Sequence, residues 1–276
     1  MSVLRRTFGR FVADDCTGLA KEIAYSSLLA FFPAIVALIG LLDLLDAYGT
    51  LRSFLDPVAP KAVLDLIDTF AQDSGGKGSA VALILGTATA LWASSSAMST
   101  VVQTVNTAYE LHETRPLWKR RILALVLVLA CAVVTVGLVL LVIFGGTLGH
   151  AIADRAGYGS AFTVVWNLVR WPLAFVTVML LFELVYYLGP NDERDWRWFS
   201  AGSALGAVSW VALSGLFALY TALSNSYTRT YGTLVGVIIL IVWLNYTAYA
   251  LLFGAELNAQ IERERATPAS PPRTSP

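Results

Sequence analysis

Six long apolar stretches, at roughly 24–45, 80–102, 122–148, 162–188, 199–223 and 233–254, dictate what this chain can fold into. A helix needs about 20 predominantly apolar residues to cross a bilayer. Within hydrocarbon, every backbone N–H and C=O must also find a partner inside the protein. The stretches therefore predict an all-α integral membrane protein with six transmembrane helices. Composition agrees: 57% of the residues are hydrophobic and 14% charged, against about a quarter charged in soluble domains. The first stretch follows Asp14, Asp15 and Glu22 and is trailed by no small-residue cleavage site. That pattern predicts a retained helix and not a signal peptide.

Charge placement sets the orientation. Thirteen of the nineteen Lys and Arg residues fall in the N-terminal arm, in the loops after the second and fourth stretches, and in the tail. The positive-inside rule puts those regions, and both termini, in the cytoplasm. The boundaries read as an arm over 1–23, a six-helix membrane domain over 24–258 and a largely disordered cytoplasmic tail over 259–276, rich in Pro, Ser and Thr. In the arm, Leu4, Phe8 and Phe11 recur at helical spacing with Arg5, Arg6 and Arg10 on other faces. This suits an interfacial helix on the inner leaflet, with a solvated polar arm as the alternative. The segment DPVAPKAVLDLIDTF, from Asp56, reads as a second surface helix on the outer side.

Several functions are disfavoured. The net charge is zero, so no basic field points to nucleic acid. SGGKGS, residues 74–79, lacks the remainder of a phosphate-binding loop. Cys16 and Cys131 belong to the arm and to the third stretch, which leaves no disulfide framework. His112 and His150 fall on opposite sides of the membrane, so no metal site and no Ser/His/Asp set can be assembled on one side. No cofactor and no enzymatic activity are expected.

The stretches also carry motifs: AYSSLLAFFPAIVALIGLL in the first, ILGTATALWASSSAMSTVVQTVNTAYE in the second, RPLWKRR before the third, and YGTLVGVIILIVWLNYTAYALLFGAELNA in the sixth. Over about residues 15–262 the chain resembles the YihY/BrkB family of bacterial inner-membrane proteins, most specifically from Tyr231-Gly232 to Gly254-Ala255-Glu256-Leu257-Asn258. The resemblance implies a six-helix protein of the bacterial plasma membrane. Its family is described as transporters and, for some members, virulence factors, and has also carried a tRNA-processing ribonuclease label. The His and carboxylate placement argues against that last activity.

Polar residues within the stretches mark the candidate site. Thr89, Ser96, Ser99, Gln103, Asn106, Glu110 and Glu113 recur at steps of three and four, with Trp92 in register. This is one stripe of a helix, expected to face the bundle interior because unpaired polar groups are costly in lipid. Gln103, Asn106, Glu183 and Glu256 all fall toward the cytoplasmic half, where Lys21, Glu22, Tyr25, Ser26 and Ser27 enter, while Asn245 sits nearer mid-membrane. These positions predict an inward-facing polar cavity. Glu183 is expected to be satisfied by Lys21, Tyr25 or Tyr187, and its role stays open between helix packing, substrate contact and proton coupling. Arg170 lies about 20 Å along the helix from Glu183, beside Trp166 and Trp171 at the outer interface, where a long cation can snorkel. Gly202–Gly206 and Gly232–Gly236 are small-xxx-small patterns for close helix contact. Arg229, in the outer loop NSYTRTYG, could meet an anionic head group.

The expected function is movement of a lipid-like or amphipathic molecule, with a small-solute or ion transporter, or an envelope scaffold, as alternatives. Membrane lipids and envelope proteins are the expected partners. The oligomeric state is not encoded in any motif.

Overall fold

The structure is a computed structural model that describes residues 3–44, 80–139, 141, 159–192, 198–223 and 234–266. The outer surface helix expected after Asp56, the glycine-rich 74–79, the loop with Arg229, and residues 267–276 lie outside them. The described residues form α1 (Val3–Ala13), α2 (Cys16–Leu44), α3 (Ala80–Ala108), α4 (Leu117–Val139), α5 (Gly159–Leu188), α6 (Ala201–Leu223) and α7 (Leu234–Ala266). No strand occurs among them.

Four helices contain stretches long and apolar enough to cross a membrane: Leu117–Leu138, Val164–Leu188, Ala201–Tyr220 and Gly236–Arg265. The other two long helices, α2 and α3, have 29 residues each, roughly 44 Å of helix at 1.5 Å per residue. Pro33 and Pro172 lie inside α2 and α5, so each helix forgoes one backbone bond. On α4, Ile122, Val126, Leu129, Val133 and Val136 are exposed. Their three- and four-residue steps make one stripe along the helix, which suits contact with lipid chains.

The helices overrun their apolar stretches at one end. α2 begins at Cys16, α3 runs on to Ala108, α4 begins at Leu117, and α7 continues to Ala266. Contacts between Cys16 and Glu256, Arg10 and Glu110, and Arg6 and Glu264 gather these overruns and α1 together. Residues 259–266, AQIERERA, thus extend α7 where a tail was expected, because Ala259 and Gln260 are buried and Arg263 and Glu264 are paired. The hydrophobic core sits at this same end, with Ile23, Val105, Val185, Tyr186 and Leu252 all buried.

α7 is the centre of the assembly, packing on α1, α2, α3 and α6, while α2 packs along α3. α1 does not present its apolar residues as one face. Phe11 packs edge-on against Tyr249 and Phe253, at ring-centroid distances of 6.2 and 5.7 Å, and Thr7 is fully buried. Leu4, Phe8 and Val12, one helical stripe, point outward. The expected grouping of Phe11 with Leu4 and Phe8 therefore splits, since three residues from Phe8 to Phe11 turn the helix by about 300° and leave Phe11 toward α7.

α6 and α7 cross closely. A Cβ on Gly202 would stand 2.2 Å from the Gly254 carbonyl oxygen and 2.5 Å from Asn258 Cγ, and one on Gly254 would stand 2.5 Å from the Gly202 oxygen. One turn on, a Cβ on Gly206 would be 3.3 Å from the Ala250 oxygen. Gly202–Gly206 is thus a contact motif as expected. For Gly236 no such contact is found: among the described residues nothing lies within 4 Å of where its Cβ would be, and Gly232 lies outside them. We expect Gly202→Ala to lower stability by about 1–3 kcal/mol, the usual cost of overpacking, and Gly236→Ala to leave it unchanged or raise it slightly. Thermal midpoints of the purified variants in detergent check both, and equal midpoints for Gly202→Ala and the parent chain would rule out so tight a crossing.

Candidate functional site

Glu183 is buried at the end of α5, and its place follows from the start of α6. A helix begins with backbone N–H groups that lack intrahelical acceptors. Here Ser200 precedes the first turn, and its hydroxyl accepts the Ser203 N–H at 3.1 Å while the Ser203 hydroxyl accepts the Ser200 N–H at 3.0 Å. This is a reciprocal cap of the capping-box kind, with Ser203 in place of the usual acid. Glu183 accepts from the Ser200 N–H at 2.9 Å and from its hydroxyl. Asn258 of α7 completes the cluster, donating to Ser200 Oγ at 2.8 Å and accepting from the Gly202 N–H at 2.7 Å. A carboxylate at this point also meets the positive end of the α6 dipole. The expected donors Lys21 and Tyr25 are instead exposed.

Asn106 belongs to a second cluster at the C-terminal end of α3. The helix stops with Glu110 in the left-handed region, φ 56°, and the Leu111 N–H returns to the Asn106 carbonyl at 2.8 Å. This is the geometry of a helix C-cap made without glycine. The Asn106 side chain donates to Glu113 at 3.0 Å and accepts from the Asn191 N–H at 2.8 Å. Arg115 meets Glu113 with two nitrogens, at 2.8 and 2.9 Å, and reaches on to the Gly189 carbonyl at 2.7 Å. Asn191 in turn donates to the His112 carbonyl and to Thr114. The loop from Leu111 to Pro116 is thereby tied to the end of α5. Burial alone would raise the Glu113 carboxyl, but its hydrogen bonds and charge contact with Arg115 hold it below the usual carboxylate range.

The third cluster joins α1, the α1–α2 turn, α3 and α7. Glu110 accepts from Arg10 at 2.8 Å and from Arg263 at 3.3 Å, and Arg6 pairs with Glu264. Glu256 is fully buried and takes the Cys16 thiol at 3.7 Å. Burial, then the neighbouring Glu256, pushes the Cys16 thiol above its usual range, so it serves as a donor and not as a thiolate.

Asn106, Glu183 and Glu256 thus come to one end of the bundle as expected, yet each enters its own bonded cluster. The α3 stripe divides as well. Ser99 and Asn106, seven residues apart, are buried, whereas Ser96 and Gln103, also seven apart, are exposed, as are Thr89, Trp92 and Glu110. The stripe spans about 100° of the helix and straddles the edge of its buried face. Its outer members satisfy themselves locally: Thr89 donates to the Leu85 carbonyl at 2.8 Å and Gln103 to that of Ser99 at 3.2 Å. Ser96, Gln103 and Tyr25, expected to face the interior, are exposed side chains. Asn245 is half-buried on α7, and Arg170 lies with its guanidinium carbon 5.4 Å from the Trp171 ring centroid. Ser200, Asn258, Arg115 and Asn191 were not anticipated, although Asn258 ends the most specific motif of the sixth stretch.

Beside the clusters runs an open groove of about 330 Å³, walled by Phe11 of α1, Thr17 of α2, Ser209 and Leu213 of α6, and Tyr249 and Phe253 of α7. Its surface is mostly apolar, with hydroxyls from Thr17, Ser209 and Tyr249. The volume falls at the lower end of the range for small-molecule sites. Among the described residues no group of three or more His, Cys, Asp and Glu side chains is placed to hold a metal ion.

Comparison with known proteins places the chain. A sequence model of the family described as "Virulence factor BrkB" matches residues 7–275. A protein of Bacillus subtilis named "ribonuclease-like protein YfkH" is 26% identical over 99% of this chain and 99% of its own length. Two proteins named "UPF0761 membrane protein", from Aromatoleum aromaticum and an Azoarcus species, are 29% and 26% identical over 97% of this chain. The chain spans 66% of the length of each. No solved structure matches.

The Glu113–Arg115 pair gives a pH prediction. A carboxyl held low in the folded protein contributes stability that is complete above its unfolded value of about 4.3. That contribution is lost as pH falls through the folded value. Arg115→Gln is expected to cost about 2 kcal/mol at neutral pH, the scale of a charge-assisted hydrogen bond, and to flatten the acid dependence below about pH 4.3. Thermal midpoints measured across that range read both effects; an unchanged acid limb would remove the pair from the loop's support.

Proposed function

The chain is a multi-pass bacterial membrane protein of the virulence factor BrkB family, and from that premise we propose that it crosses the plasma membrane six times, with both termini in the cytoplasm, and moves a lipid-like or amphipathic molecule. Side-by-side packing of α1 with the C-terminal turns of α7 supports an even number of crossings. The arginines of α1 and of the α4 start lie at that same end, which favours the cytoplasm by the positive-inside rule.

The observation that carries the functional reading is the groove. An acyl chain needs an apolar cleft with a few polar atoms, and the cleft between α1, α2, α6 and α7 is mostly apolar with Thr17, Ser209 and Tyr249 in its lining. The buried carboxyl and amide groups at this end of the bundle are bonded largely to one another, so a polar solute finds less there to bind. A hydrolytic role is less well supported, because a metal-dependent nuclease needs clustered ligands and the described residues supply no such group.

Lipid mass spectrometry on protein extracted in native-membrane discs tests the reading. We expect one lipid class to be enriched over the bulk membrane and to be lost in Leu213→Trp, which narrows the groove. Displacing three methylenes at about 0.8 kcal/mol each weakens binding roughly fiftyfold. Bulk lipid composition in both proteins would sink the proposal and favour a scaffold that recruits envelope proteins.

A further inference from the structure

Glu256 has no exposed surface, and its two oxygens are treated unequally. Oε1 takes the Cys16 thiol at 3.7 Å, whereas Oε2 is buried without a donor. Opposite it, Asp14 Oδ2 from the α1–α2 turn is also buried without a donor, and the two carboxyl groups are within hydrogen-bonding reach of each other. An ionised carboxylate offers only acceptors. Two of them in contact leave both oxygens unsatisfied and set like charges against each other where water screens them poorly.

The surrounding groups do not remove the conflict. Cys16 faces the pair from the turn, whereas Asp15 is exposed and accepts from the Thr17 hydroxyl and the Gly18 N–H. On α7, Arg263 is the facing cation; its Nη2 reaches Glu110 at 3.3 Å and the Ala108 carbonyl at 3.4 Å, and neither Asp14 Oδ2 nor Glu256 Oε2 takes a hydrogen bond from it. Glu110 is in turn shared with Arg10 of α1 at 2.8 Å.

We propose that Asp14 and Glu256 form a proton-binding site, in which one proton held between Asp14 Oδ2 and Glu256 Oε2 converts one acceptor into a donor and bonds the α1–α2 turn to α7. The ligand is a proton and not a metal ion: hard cations take six or more oxygen ligands, and among the described residues no group of three or more His, Cys, Asp and Glu side chains is placed to hold one here. The same seam seats Phe11 between Tyr249 and Phe253. Release of the proton would drive two anions apart there and loosen α1, one wall of the groove. The site stands independently of what the groove carries.

Infrared spectroscopy of the full chain in an ester-free detergent tests the site. A carboxylic-acid C=O band at neutral pH is expected in the parent chain, absent from Glu256→Gln and retained in Glu183→Gln. Absence of the band from the parent chain, its survival in Glu256→Gln, or its loss in Glu183→Gln instead would each overturn the proposal. Should Glu256→Gln fail to fold, Asp14→Asn serves. An amide donor at position 14 replaces the proton, so the acid band should vanish there too, and its persistence would refute the shared proton.

Discussion

The bundle depends on satisfying the backbone where α6 starts. A helix that begins against two others, with little water to take its free N–H groups, must borrow acceptors from its neighbours. Glu183 from α5 and Asn258 from α7 supply them, and the glycine crossing of Gly202 with Gly254 brings α7 close enough for Asn258 to reach. Once α7 is fixed in that way, its other faces receive α2, α3 and α1. Tyr186, fully buried, adds a bond from α5 to the Leu251 carbonyl at 2.6 Å. A glutamate deep in a greasy helix is thereby explained as a cap for someone else's helix.

Much of this was written in the sequence, at the level of elements. The apolar stretches locate the starts of α3, α5, α6 and α7 and the ends of α5 and α6 to within a few residues, and Gly202–Gly206 reads correctly as a contact. The polar overruns of α2, α3, α4 and α7 were not legible, because helical turns such as AQIERERA look like tail until Arg263 and Glu264 find partners at the end of α3 and on α1. Glu183's partner was equally hidden. Ser200 is 17 residues further on, past the end of α5, and no periodicity links the two.

The α3 stripe shows a different limit. Spacing tells which residues share a face, but not where the boundary of burial cuts that face. Ser99 and Asn106 fall on one side of the cut and Ser96 and Gln103 on the other. A hydroxyl or amide that returns its bond to its own helix tolerates lipid, so polarity alone does not identify an interior position. In the same way, separate clusters of bonded polar groups were indistinguishable, in sequence, from one shared polar cavity.

The seating of α1 bears on how the protein is made. α1 is synthesised before α2, yet its partners, Tyr249, Phe253 and Glu264, are on α7, which is synthesised after every other described helix. Until α7 is in place the arm has only its packing on α2 and the Arg10–Glu110 pair, and its stripe of Leu4, Phe8 and Val12 is free to rest on the bilayer surface. Closure of the arm is then a late event in biogenesis, a clasp that fastens only when the other helices have entered, and it would mark the difference between a chain that is inserted and one that is finished.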